Sequence, residues 1–180
     1  MKYFIISDTH LNHEKIKTYC DRPANFTELI LRRWNERVTP KDTVIHLGDV
    51  AIGHKSAIGA QIRQLNGRKI LVRGNHDLHS SCSWWCDEGG FDFACDGMIF
   101  RGMWLSHKPA KFLPERCSLN LHGHLHNVWG GFHSERIKTP GKLDKPWQRL
   151  FSLEYSNYYP IELNNFVDHP QKYQATGPNR

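Results

Sequence analysis

Five short polar clusters hold the side chains best suited to chemistry: SDTHLNH at 7–13, HLGDV at 46–50, RGNHD at 73–77, LSHKP at 105–109 and HGHLH at 122–126. Each lies at the edge of an apolar run, and each offers the oxygen or imidazole ligands that divalent metals take. Asp8 and His10 are two apart. In an extended backbone both side chains leave on the same face and can hold one ion. His124 and His126 repeat that spacing. Gly48 precedes Asp49 and Gly74 precedes Asn75, and without a Cβ the backbone there can turn tightly and approach a bound ion. A shell of oxygens and imidazoles without thiolate argues against structural zinc; Mn2+ comes first, with Fe2+, catalytic Zn2+ or Ni2+ as the other candidates. Two such ions roughly 3.5–4 Å apart can share a carboxylate, polarise phosphoryl oxygens and generate hydroxide. That suffices for phosphoester hydrolysis.

The elements that must position these groups follow an α/β rhythm. Residues 2–7 are apolar, β-branched and aromatic, long enough for a buried strand. Ile30, Leu31, Trp34 and Val38 recur at helical steps, with Asn25 and Glu28 at the start and Pro40 beyond the end. A strand is expected at 43–47, a helix at 55–65 and a third strand at 69–72. Beyond Asp77 the chain reads as mostly β: two short strands within 98–107 joined at Arg101-Gly102, then strands at 118–122 and 149–155. We expect one domain over residues 1–163 and a loosely held tail at 164–180, which is polar and contains Pro170 and Pro178.

A chain of 180 residues buries a single core, and 39% hydrophobic with 23% charged residues is a globular composition. No stretch approaches a membrane span and no basic leader precedes the first strand, so a cytoplasmic setting without membrane partners is expected. Five irregularly spaced cysteines describe no complete disulfide framework, and CSWWC at 82–86 reads as a packed loop or helical turn. The net charge of +6 attracts anions and keeps nucleotides and nucleic acid among the partners.

The ordered set DxH, GD, GNHD, a lone histidine and GHxH resembles the calcineurin-like metallophosphoesterases, over residues 8–126. SDTHLNH with CDRP, Trp34-Asn35, HLGD and RGNHD is similar to a small subgroup found in bacteria and their phages. The resemblance implies an αββα sandwich of two mixed β-sheets flanked by helices. It implies that Asp8, His10 and His126 hold one metal, that Asn75, His107 and His124 hold a second, and that Asp49 bridges them. His76 would protonate the leaving oxygen. GDVAIG lacks the downstream Asp-Arg of the protein serine/threonine phosphatases in this superfamily, which argues against that substrate class.

The expected activity is hydrolysis of phosphodiesters, nucleotide-like ones included, by metal-bound hydroxide; a nuclease acting on single-stranded DNA or RNA is the alternative. A silent scaffold of the same fold would go with missing ligands, and here every position is filled. His13 either lines the site or caps a turn. Arg73 either contacts phosphate or is solvated. Asp77 is expected to hold a loop through backbone hydrogen bonds, and His46 and His122 to be packed. Trp34 reads as core; Trp84, Trp85 and Trp129 either pack or stack on a nucleobase. The basic segment 136–149 is expected to reach toward substrate.

Overall fold

Strand β1 (Tyr3–Ile6) pairs in parallel with β2 (Thr43–His46), and β2 with β3 (Arg68–Val72). All four β2 residues are buried, Thr43 and His46 included, as in a strand covered on both faces. The connections are α1 (Glu14–Cys20) with α2 (Phe26–Arg37), and then α3 (Lys55–Arg63). α2 turns Phe26, Ile30 and Trp34 inward and α3 turns Ile58 and Ile62 inward, at the helical spacing expected of a stripe packed on a sheet. β3 leads through α4 (Cys82–Asp87) to the parallel strand β4 (Phe93–Cys95). The first sheet has the order β4-β3-β2-β1-β9, its edge closed by the antiparallel β9 (Ile161–Glu162).

The second sheet has the order β5-β6-β7-β8. β5 (Met98–Phe100) and β6 (Met103–Leu105) form a hairpin in which Arg101 and Gly102 both take positive φ, the two-residue turn that matches strand twist. β7 (Leu119–His122) and β8 (Gln148–Leu150) continue in parallel. Tyr3 of the first sheet meets Phe100 of the second at 5.0 Å between ring centroids. Side chains of both sheets, among them Phe4, Ile6, Leu105 and Leu121, share one buried cluster with Phe151, α2, α3 and the closing helix α5 (Leu163–Asp168). Two mixed sheets with flanking helices are the architecture expected. This computed structural model describes residues 1–126 and 145–173. Trp129, most of the basic segment and residues 174–180 lie outside the described residues.

Two expectations are corrected. The run 149–155 is strand only through Leu150: Phe151 donates to the His122 carbonyl, and the chain then turns so that Tyr158 donates back to Leu153. Residues 164–173 are no loose tail. Phe166 of α5 is fully buried against Phe151 at 5.5 Å, and Tyr173, in a 3-10 turn at Pro170–Tyr173, packs on Phe166. Leu163, Phe166 and Tyr173 recur at steps that a polar average conceals.

Candidate metal centre

All five clusters follow the carboxyl ends of strands: Asp8 and His10 after β1, Asp49 after β2, Asn75 and His76 after β3, His107 after β6, His124 and His126 after β7. These strands are parallel within each sheet, so their ends face one way and the loops converge. Cross-sheet bonds draw them together. His107 donates its Nδ1 proton to the Leu47 carbonyl at 2.8 Å, and the His124 backbone N–H donates to Asp8 Oδ2 at 2.9 Å. A Cβ on Gly123 would collide with Ser7 and the Asp8 carboxylate, and one on Gly74 with Asp49. Asp8, His10, Asp49, His124 and His126 take φ of 54°, 45°, 58°, 71° and 50°. Non-glycine residues in that left-handed region carry strain, of a kind that collects where side chains must be aimed.

Two groups result. In the first, His126 Nε2 lies 3.6 Å and His10 Nε2 4.0 Å from Asp8 Oδ1. In the second, His107 Nε2 lies 3.1 Å from Asn75 Oδ1, 3.1 Å from His124 Nδ1 and 3.3 Å from Asp49 Oδ2. Asp49 Oδ2 is also 3.6 Å from His10 Nε2, so one carboxylate oxygen stands between the groups. Atoms held about 2 Å from a shared centre sit roughly 3–3.5 Å apart, so both groups could each hold an ion.

Hydrogen bonding fits that use. The bond to Leu47 fixes the His107 tautomer with Nε2 turned inward. Asp8 Oδ2 accepts from Ser7 Oγ and His124 N, whereas Asp8 Oδ1 and both His10 nitrogens are buried without a partner. Orphaned buried atoms are costly and suit a cation. Burial drives His10 well below its ordinary range, aided by His126, and takes His124 down to about 4. Burial opposes charge on His107 too, but the hydrogen bond to Asp49 and the Asp8 and Asp49 charges lift it to about 9. His126 is likewise raised despite burial, by Asp8 and Glu154. Burial would raise Asp49, yet His107 and His10 hold it far below the carboxylate range. Protons on His107 and His126 thus balance carboxylates that a divalent ion would balance when bound.

His76 is exposed at the rim, its ring 5.3 Å from that of His10, and its backbone N–H donates to Asp49 Oδ1 at 2.9 Å. His13 occupies the N-cap position of α1 but makes no side-chain cap bond; its ring stands 5.4 Å from His10 and 6.2 Å from His76. Arg73 is committed elsewhere. Its Nε and Nη2 reach Asp96 at 2.8 and 2.6 Å and its Nη1 donates to the Ser80 carbonyl, so the fork ties down the ends of β3 and β4 rather than being offered to phosphate. Asp77 accepts the N–H groups of Asp49, Val50 and Gly74, which clamps the second and third clusters together. Its carboxyl rises to about 6 because burial outweighs those donors.

His46 and His122 are buried and neutral, lowered by burial to about 3 and about 4. Trp85 is core and donates to the Asp77 carbonyl, while Trp84 packs edge-on against Trp85 beneath Lys55. Sequence reasoning missed Arg22 and Glu154, a buried ion pair at 2.7 Å beside the first group. Their signals are the CDRP string that contains Arg22 and an acid set inside the apolar run LFSLEY.

A family model described as calcineurin-like phosphoesterase matches residues 1–176. An uncharacterized protein of Methanocaldococcus jannaschii is 30% identical over 173 residues, which cover 92% of this chain and 89% of that protein. The crystal structure of a protein of unknown function from Aquifex aeolicus is similar with a TM-score of 0.65 at 27% identity, covering 93% of this chain and 98% of that one.

Proposed function

We infer, for a chain that belongs to the calcineurin-like phosphoesterases, that it is a dinuclear metal-dependent phosphodiesterase acting on nucleotide-like or other phosphodiesters. The observation that carries this reading is Asp49 Oδ2, 3.6 Å from a nitrogen of the first group and 3.3 Å from a nitrogen of the second. Asp8, His10 and His126 would hold one ion and Asn75, His107 and His124 the other, with Asp49 common to both. When bound, the two ions, Mn2+ in first place, supply Lewis acidity and a water of lowered pKa. His76, exposed beside His10 and tethered through its backbone to Asp49, gives a proton to the leaving oxygen. His13, on the same side, orients the phosphoryl group.

The preference for diesters rests on charge. Arg22, bonded to the backbone of the first cluster, and Arg73, part of the third, are both bound to carboxylates. A singly charged diester suits a rim of imidazoles better than a dianionic monoester, which calls for a free bidentate cation. None of the five cysteines is in a disulfide, which fits work in the cytoplasm.

Purified protein with Mn2+ should turn over bis-p-nitrophenyl phosphate faster than p-nitrophenyl phosphate, and His76→Ala should lower kcat by about 10²–10⁴. Preference for the monoester overturns the diesterase reading; silence with Mn2+, Fe2+, Ni2+ and Zn2+ overturns the enzyme. The net charge of +6 supports the nuclease as second reading. Cleavage of single-stranded DNA or RNA that falls steeply with salt would establish it.

A further inference from the structure

Arg22 and Glu154 lie outside the five polar clusters, yet their side chains are 0% and 8% exposed. Burying an ion pair stabilises little on balance, since desolvation offsets the attraction. This pair therefore needs another reason. Arg22 donates from Nε and Nη2 to Glu154 Oε1 at 2.9 and 2.7 Å, and from Nη1 and Nη2 to the Thr9 and Asp8 carbonyls at 2.8 Å each. Ser152 Oγ donates to Glu154 Oε2 at 2.7 Å. The carboxylate is thus held on both oxygens, and the guanidinium also grips the strained backbone of the first cluster.

His126 stands between this carboxylate and Asp8. Its Nδ1 is buried, makes no hydrogen bond and lies 3.8 Å from Glu154 Oε1; its Nε2, on the opposite edge of the ring, lies 3.6 Å from Asp8 Oδ1. A small rotation of the ring would close the first gap to hydrogen-bonding distance.

We propose that Glu154 is a positioning residue for His126: it accepts a hydrogen bond from the Nδ1–H, fixes the ring and its tautomer, and leaves Nε2 to the first ion, while Arg22 keeps Glu154 charged and in place. Carboxylate partners of this kind orient metal-ligating histidines generally. The inference rests on the ion-binding reading above and adds to it a residue that no cluster contains.

The test is Mn2+ titration calorimetry on the wild type and on Glu154→Gln, which keeps the shape of the side chain and removes its charge. One of the two affinities should fall about 10–100-fold and the other stay unchanged. In the zinc-loaded wild type, 15N NMR should show His126 protonated at Nδ1. A merely structural ion pair predicts a lower Tm with both affinities intact, and that result overturns the proposal, as does an unprotonated His126 Nδ1. If Glu154→Gln does not fold, Ser152→Ala, which removes only the bond to Oε2, should weaken the same ion; unchanged affinities would count against the proposal. A wild type that binds no ion overturns the phosphoesterase reading and this inference with it.

Discussion

Replacing Asp77 with asparagine should loosen the whole centre, although Asp77 touches no proposed ligand atom except through backbone. The side chain is fully buried, with Oδ2 accepting from Asp49 N at 2.7 Å and Gly74 N at 2.8 Å, and Oδ1 from Val50 N at 3.0 Å. A carboxamide has one acceptor oxygen. Its better orientation keeps the pair at Oδ2 and points NH2 at the Val50 N–H, leaving that donor orphaned at about 1–3 kcal/mol. The two surviving bonds also lose charge assistance, about 1 kcal/mol each. Relief works against this, because burial disfavours the carboxylate enough to raise it to about 6. That relief is worth about 2–3 kcal/mol, so the net loss is about 1–2 kcal/mol, or roughly 3–8 °C in Tm for a chain of this size. Scanning calorimetry near pH 7.5 measures it, and Mn2+ affinity should fall in parallel as Asp49 loses its position. A Tm within about 2 °C of wild type, or above it, would refute the clamp.

Three further outcomes follow from particular contacts. Gly74→Ala should cost about 2–4 kcal/mol and abolish tight metal binding, because the new Cβ would collide with the Asp49 carboxylate and backbone; urea unfolding and metal titration report both. His46, buried with pKa about 3, excludes a proton that the unfolded chain binds near 6.5, so its share of stability holds above pH 6.5 and is lost as pH falls toward 3. Between pH 7 and 5, wild type should therefore lose about 2 kcal/mol more than His46→Gln, read from urea midpoints; equal losses would place His46 elsewhere. Asp21, the C-cap of α1 at φ 52°, should accept glycine with a gain of about 0.5–1 kcal/mol by the same measurement.

The clusters were legible because each stands at the edge of an apolar run, and the structure places all five at converging strand ends. β1, β2 and β3 fall within a residue or two of expectation because each carries a short run of largely buried apolar residues, at 4–6, 44–45 and 70–72. The helix α1 was not legible: it buries only Ile16 and Cys20, too little for a stripe. α5 hid for a similar reason, its Leu163 and Phe166 separated by Asn164 and Asn165. Glu154 and Arg22 could not be paired from sequence, since 132 positions separate them and only the turn after Phe151 brings them together. Spacing alone did not sort the histidines into trios, as the family resemblance did, because His124 and His126 go to different groups although they are two residues apart. Alternation of side chains would place them on one face; left-handed backbone at both positions aims them apart.

The proposed two-ion centre depends on one shared carboxylate, that of Asp49. Electron paramagnetic resonance on Mn2+-loaded protein, with metal counted per chain, tests it most directly. Two ions per chain with a spin-coupled signal are predicted, falling to uncoupled or single occupancy in Asp49→Asn. A single uncoupled ion in the wild type, or a coupled pair that survives Asp49→Asn, would contradict it.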